Sequence, residues 1–420
     1  MHVLYISQYF PPEMGAPSAR VHELAREWAG MGHRVTVLTG FAHHPVGVKA
    51  REDRWRLTRR ETRDGIEVVR SYVYAAANKG TALRMLSYAS FMASATVIGA
   101  ARVRGPDIVV ATSPQLLCAA AGYALARFFR VPFVFEVRDL WPETIIAIDA
   151  MEDNLVVRSL RSLARFLYNH CDRIVTVGEG YSRGINTRYG IPLEKITAIP
   201  NGIDTALFIP GPRDNELRRE YGWGDKFVIL YIGTMGMCQG LGQVVEAAAR
   251  LHKERDLLFV FVGEGAEKDG LKQTASSLKL DNVQFIDQQP KSRVPLFYAA
   301  CDLGVVTLRN RSLFEEVLPS KIFEYLGMER PLLLSVGGEA RKLVEDAGAG
   351  EYVPSEDVEK LVEAIIKLRG QKERLAEMGK RGRQYVLAHY DRRRLAHDYI
   401  GVMEALINKE PPPGSRTPEQ

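Results

Sequence analysis

Twice along this chain, short runs of β-branched and aromatic residues alternate with longer helix-patterned stretches, and few folds accept that alternation. In the first half the runs are HVLYIS, RVTVLTG, IEVVRSYVY, DIVVAT, FVFEVRD and RIVTVG, followed by KITAIP. In the second half they are FVILYIG, LLFVFVGEG, VQFID, LGVVTL, PLLLSV and GEYV. Most are continuously apolar, as strands covered on both faces are, which points to parallel sheets with helices on either side. Helical stretches such as SARVHELAREWAGMG and GQVVEAAARLHKER fill the intervals. The expected class is α/β, with two Rossmann-like domains that share an architecture without repeating a sequence. The polar segment PGPRDNELRREYGWGDK separates them, so the boundary is expected near residues 201–226. A length of 420 residues suits two domains.

Composition narrows the class further. With 46% apolar and 25% charged residues the chain is neither disordered nor fibrous. A net charge of +5 gives no reason to expect nucleic acid as a partner. Positive charge is dense only from Lys49 to Arg63, where Arg51, Arg54, Arg56, Arg59 and Arg60 also fall, partly offset by Glu52, Asp53 and Glu61. The run reads either as a solvated face, the preferred reading, or as a contact for anionic headgroups or a diphosphate. Cys118, Cys171, Cys238 and Cys301 lie far apart with no zinc spacing, so reduced thiols in a cytoplasmic protein are expected. The start, MHVLYISQYFPPE, reads as a first strand and not as a signal peptide. The most apolar stretch, residues 83–101, holds many Ser, Thr and Ala residues and reads as a buried helix, or alternatively as a surface helix dipping into a membrane.

Several chemistries are excluded by their missing motifs: there is no Walker A pattern and no Gly-x-Ser-x-Gly elbow. Gly263-Glu264-Gly265 follows a strand but lacks the third glycine of a dinucleotide fingerprint. His43-His44 stands outside any metal-binding pattern, so no metal site is expected.

Four segments could carry chemistry. After the first strand, QYFPPEMGAPSAR places Glu13 and Gly15 ahead of a helix whose N-terminal amides suit a phosphate, or which is an ordinary strand-to-helix loop. In GTMGMCQGLG, the glycines Gly233, Gly236, Gly240 and Gly242, with Thr234 and Gln239 between them, let a diphosphate approach the backbone. In EEVLPSKIFEYLG, Pro319 should open a short helix with Ser320 and Lys321 at its positive end. Glu324 lies about one turn on and Glu316 just before; a carboxylate there can accept from both hydroxyls of a ribose. In VRDLWPETI, Arg138, Asp139 and Glu143 surround Trp141 and Pro142, either as a functional loop or as a salt-bridged one.

Taken together, PNGID (200–204 with its leading proline), the GEG after a second-half strand and the Glu316-to-Glu324 spacing resemble glycosyltransferase family 4 of the GT-B fold. QYFPPE, RDLWPE, GTMGMCQGL and LPSKIFEYL resemble, more narrowly, the bacterial L-fucosamine transferases of O-antigen and capsule synthesis. The resemblance spans the chain to about residue 408. It implies two Rossmann-like domains facing each other across a cleft. Residues 1–203 would bind acceptor, 204–385 the nucleotide sugar, 386–408 would form a helix returning to the first domain, and 409–420 a flexible tail. It further implies a UDP-sugar donor, carrying an N-acetylated deoxyhexosamine such as L-FucNAc or GlcNAc. The acceptor would be an undecaprenyl-diphosphate-linked sugar at the inner leaflet. Transfer would retain anomeric configuration with no metal and no cofactor.

Carried onto this sequence, Glu324 would hold the ribose, Glu316 would face the donor sugar, and Lys321 with Ser320 and the Gly233–Gly242 loop would take the diphosphate. Gly15 would close over the donor, Gly263 and Glu264 would flank it, and Asp139 would stand beside the sugar. Glu13, His43, His44, Arg138 and Glu143 would contact the acceptor. One departure matters. Relatives place an Arg and a Lys in the loop after the first strand of the second domain, whereas this chain has TMGMCQG with Gln239 at the lysine position. Lys321 and Arg309 would then have to supply the charge. Two rival readings stay open: a UDP-sugar 2-epimerase on the same fold, and a non-catalytic nucleotide-sugar-binding subunit.

Overall fold

The computed structural model describes residues 1–13, 15–43, 47–75, 81–147 and 154–409. His44 and residues 410–420 of the tail lie outside them. The chain divides into two compact units, the first built from Met1–Ile199 together with the chain from Arg393 onward, the second from Pro200–Arg392.

The first unit holds strands β1 (His2–Ile6), β2 (Arg34–Gly40), β3 (Thr58–Arg63), β4 (Ile66–Ser71), β5 (Ile108–Thr112), β6 (Phe133–Val137), β7 (Arg173–Thr176) and β8 (Ile196–Ala198). They form one sheet in the order β3-β4-β2-β1-β5-β6-β7-β8. All neighbours are parallel except β3, which pairs antiparallel with β4 at the edge. Without β3, the order outward from β1 reverses between β1 and β5, the switch point of a doubly wound sheet. The core strands are buried throughout, which is why their sequences are unbroken apolar runs.

Part of the basic run is an edge strand, β3, and its residues are half-buried or exposed, in keeping with a solvated face. Its sequence, TRRETR, has no apolar alternation because an edge strand needs its backbone paired on one side only. The apolar stretch at 83–101 lies in the helix Thr81–Arg102, which buries Phe91 and Ala95 but leaves Val97 67% exposed, so it is half-buried and not wholly so. Gly99 lets it close on Leu125 and Leu38, which an added Cβ would meet at 2.6 and 2.9 Å. Among the described residues no helix is long and apolar enough to cross a membrane.

The second unit holds β9 (Phe227–Ile232), β10 (Leu257–Val262), β11 (Val283–Ile286), β12 (Leu303–Thr307), β13 (Leu332–Ser335) and β14 (Gly350–Tyr352). Every pair is parallel and the order is β11-β10-β9-β12-β13-β14. Counted within the unit this is the 3-2-1-4-5-6 order of a dinucleotide-type sheet, with its switch point between β9 and β12. The pairing of β9 with β12 extends only from Leu303↔Ile229 to Gly304↔Leu230. Beyond it the two strands part, and the Tyr325 hydroxyl donates to the Leu230 carbonyl at 2.5 Å.

The last helix, Arg392–Asn408, packs on the first unit. Trp28, fully buried, donates its indole N–H to the Ala396 carbonyl at 3.1 Å and meets the Tyr399 ring edge-on at 5.1 Å. The return to the first unit falls at Arg393, later than residue 386, and the helix Lys372–His389 stays with the second unit.

Candidate functional site

In the second unit three loops meet beyond the strand ends at the switch point. The loop after β9 begins at Gly233, whose φ of +139° suits glycine. The loop after β10 presses against it: a Cβ on Gly263, φ also +139°, would stand 2.0 Å from the Gly233 carbonyl oxygen. The backbones are tied by Gly233 N–H to Val262 O at 2.9 Å and Met235 N–H to Glu264 O at 2.8 Å. Gly263→Ala should therefore cost roughly 2–4 kcal/mol through strain and forced separation of the loops. Thermal unfolding measures it, and a variant as stable as the parent would show that the contact is not tight.

Lys321 rises into this junction as the first residue of the helix Lys321–Gly327. Its Nζ lies 2.9 Å from the Tyr231 Oη and 3.4 Å from the Gln239 Oε1, and 4.0 Å from the Tyr231 ring centroid. A Cβ on Gly233 would reach Nζ at 3.3 Å, so the glycine is what leaves the ammonium its place. Burial pushes the Lys321 pKa down to about 8. Pro319 does not start the helix itself. It precedes the cap residue Ser320, whose side chain makes no cap bond, and the turn is closed by Ile322 N–H to Pro319 O at 3.1 Å.

Gln239 ends the 3-10 helix Met237–Gln239, and its carbonyl accepts from the Thr307 hydroxyl at 2.6 Å, pinning the glycine loop to β12. The amides of Thr234 and Gly236 have no protein acceptor among the described residues, and Thr234 is exposed. Gly240 adopts φ +59° after the 3-10 turn. Glu324, half-buried on the same helix as Lys321, accepts from the Tyr298 hydroxyl at 2.5 Å. Glu316, also half-buried, is the last residue of the 3-10 helix Ser312–Glu316.

Two charged residues expected near the donor are already ion-paired. Arg309 does not stand beside Lys321 as a free cation: its Nη2 donates to Glu267 at 3.0 Å, and its backbone N–H to Cys238 O at 2.9 Å. It lines a separate cavity of about 490 Å³ with Gly240, Gly242, Gln243, Glu267 and Glu356, which neither Lys321 nor Glu324 borders. Glu264 is held by Lys268 at 2.5 Å, and Lys268 also binds Asp287. Two residues that sequence patterns did not single out, Tyr231 and Tyr298, orient the lysine and the glutamate. Both lie within apolar runs, where a tyrosine reads as core.

In the first unit, Gly15 caps the helix Ala16–Gly30 with φ +136° and is exposed, directly after β1. Glu13 is buried and accepts from the His43 backbone N–H at 2.9 Å, while the His43 ring bonds the Phe41 carbonyl at 2.9 Å. This pair braces two loops at the strand ends. Arg138 follows β6; its backbone N–H donates to the Ser113 hydroxyl at 2.8 Å. Its Nε and Nη1 are buried with no hydrogen-bond partner among the described residues, an arrangement that suits an anionic ligand. Asp139 accepts from the Thr144 hydroxyl at 2.5 Å, and burial pushes its pKa up to about 6. Glu143 accepts from Tyr189 at 2.8 Å and from Arg161 at 3.2 Å.

Beneath Arg138 lies a buried charge that sequence reasoning missed. Glu136, the next-to-last residue of β6 and fully buried, accepts from the hydroxyls of Tyr5 and Thr112, both at 2.8 Å, and from Arg20 Nε at 3.1 Å. Arg20 also donates to the Ile199 carbonyl at 3.0 Å. A glutamate inside an otherwise apolar strand, FVFEV, was the available signal.

Known proteins carry the same two parts in the same order. Residues 15–202 match the family described as glycosyl transferase 4-like domain, and residues 213–385 the family described as glycosyl transferases group 1. WbjE of Pseudomonas aeruginosa, described as a probable glycosyltransferase, is 26% identical over 289 residues, 67% of this chain and 71% of that protein. WcaI of Escherichia coli (strain K12), described as a colanic acid biosynthesis glycosyl transferase, is 27% identical over 348 residues, 81% of this chain and 82% of that one. Among solved structures, Anabaena HepE in complex with UDP superposes with a TM-score of 0.73 at 18% identity, covering 97% of this chain and 100% of HepE.

Proposed function

We propose, since the chain belongs to the GT-B glycosyltransferases, that it moves a sugar from a UDP-sugar to a lipid-linked sugar acceptor in surface polysaccharide synthesis, with retention and without a metal. The observation that carries the reading is the Lys321 ammonium, held 2.9 Å from the Tyr231 hydroxyl beside Gly233, where a diphosphate can approach bare backbone. In cleavage of the donor, negative charge grows on the leaving UDP. Lys321 and the amides of Thr234 and Gly236 stabilise it, which is the work a metal ion does elsewhere.

In this reading Glu324, oriented by Tyr298, takes the ribose diol, and Glu316 faces the donor sugar. Arg138, with two unsatisfied buried donors, takes an acceptor phosphate in the first unit. The donor sugar is an N-acetylated deoxyhexosamine such as L-FucNAc, or GlcNAc. HepE supports the choice of UDP by analogy of fold, and WbjE and WcaI support a role in polysaccharide assembly by their descriptions.

Thermal stabilisation by nucleotides tests this. UDP at a hundredfold excess over its Kd should stabilise the second unit by about 2.7 kcal/mol, equally with EDTA, and less in Glu324→Ala. A response to GDP and not to UDP would remove the UDP assignment. Loss of the UDP response in EDTA would remove the metal-free one. A second reading has its own support: with Gln239 at the lysine position and Arg309 tied to Glu267, the charge expected at the loop rests on Lys321. A protein that binds UDP yet transfers nothing to any lipid-linked acceptor would be a non-catalytic subunit.

A further inference from the structure

Along the edge of the first unit's sheet runs a cavity of about 740 Å³ lined by Arg34, Arg56, Arg59, Arg60, Arg102 and Arg104, with Thr58 and Val69 at its floor. Its guanidiniums come from three separate places: β3 and the turn before it, the start of β2, and the end of the helix Thr81–Arg102. Acidic neighbours cover only part of the charge. Glu67 takes Arg34 at 3.1 Å and Arg60 at 3.0 Å, and Asp53 and Glu61 take Arg59 at 2.7 and 3.1 Å. Arg56, Arg102 and Arg104 have no acidic partner among the described residues, and all three are exposed.

The register of β3 fixes what lies at one end of this cavity. Thr58 pairs with Ser71, the last residue of β4, so the segment before Thr58 lies toward the strand carboxyl ends. That segment exposes Trp55 at 87%, Leu57 at 69% and Val48 at 70%. Elsewhere in the basic run Lys49 lies over the Tyr72 ring at 4.1 Å, Arg54 over the Trp55 ring at 5.6 Å and Arg63 by Asp64. An arginine-lined cavity in which Arg56, Arg102 and Arg104 lack a carboxylate, with an exposed indole and leucine in the segment at one end, combines phosphate recognition with the aromatic and apolar groups that settle at a membrane–water interface.

We propose that this edge docks the protein on an anionic phospholipid surface, with lipid phosphates in the arginine cavity and Trp55 and Leu57 in the interfacial layer. The proposal rests in part on the reading of a lipid-linked acceptor, yet its test needs no sugar transfer. The full chain is sedimented with vesicles of phosphatidylglycerol in phosphatidylcholine and with pure phosphatidylcholine vesicles. Binding should require the anionic lipid and fall as salt rises. Arg102→Gln with Arg104→Gln should weaken it roughly 30-fold, from about fivefold per arginine. Indole emission should shift to the blue on the anionic vesicles and lose that shift in Trp55→Phe.

Transfer to a water-soluble acceptor should be unchanged in these variants, so a failure of docking and a failure of the transferase reading are distinguishable. Equal binding to both vesicles, or a double variant that binds like the parent, overturns the proposal. So does tight binding of free pyrophosphate in the cavity without vesicle binding, which would assign it to a soluble phosphate ligand.

Discussion

Replacing Lys321 by alanine should lower the turnover of sugar transfer about 10²–10³-fold, the usual loss when one preorganised donor to a developing anion is removed. The loss should lie in the upper part of that range because Arg309, the other cation expected at the diphosphate, is bound to Glu267 and lines a different cavity. The same lysine sets a pH limit. Its pKa is pushed down to about 8 by burial, so in the unliganded protein the ammonium is lost as pH rises through that value. Donor kcat/KM should then fall above about pH 8, and the fall should vanish in Lys321→Arg, whose charge persists. Steady-state kinetics across pH measures both. A Lys321→Ala protein with near-parental turnover would remove this residue from the diphosphate site.

Glu136→Ala should destabilise the first unit by about 3–5 kcal/mol, the cost of leaving buried partners of a charge uncompensated. Arg20 would lose its carboxylate and the Tyr5 hydroxyl its acceptor, while the Thr112 hydroxyl would keep only the Ser113 carbonyl, all in the buried core of the sheet. Burial raises the Glu136 pKa, but Arg20, Arg138 and the two hydroxyls outweigh it and hold the carboxyl below its ordinary value. A depressed folded pKa means stability that is present above the unfolded value near 4.3 and lost as pH falls through the folded one. The parent should therefore lose this contribution in acid, and Glu136→Gln should be flatter in the same range. Unfolding curves at neutral and acid pH test it; an alanine variant that melts with the parent would show that the network contributes nothing net.

The strand runs were legible because parallel strands covered on both faces leave little freedom of composition, and the glycine loop because two backbones cannot approach with a Cβ between them. Lys321 was legible from its place after Pro-Ser. Its partners were not: Tyr231 and Gln239 reach it from 90 and 82 residues away, and only the closed sheet brings them together. The pairing of Arg309 with Glu267 spans 42 residues and was hidden for the same reason. TRRETR escaped notice because an edge strand is not required to be apolar. Glu136 and Arg20 were visible as charges in apolar settings, but a pattern of residues does not say which buried charges meet.

The docking of Arg392–Asn408 on the first unit bears on how this polypeptide is made. The second unit is one contiguous stretch, Pro200–Arg392, and is inserted into a first unit whose second piece leaves the ribosome only after it. Until that piece arrives, the Trp28 indole has no carbonyl to bond and no Tyr399 ring to meet. Synthesis thus completes the two units in the reverse of their order along the chain: the inserted one can close while its host still waits, with an apolar groove open to whatever chaperone or neighbour is at hand.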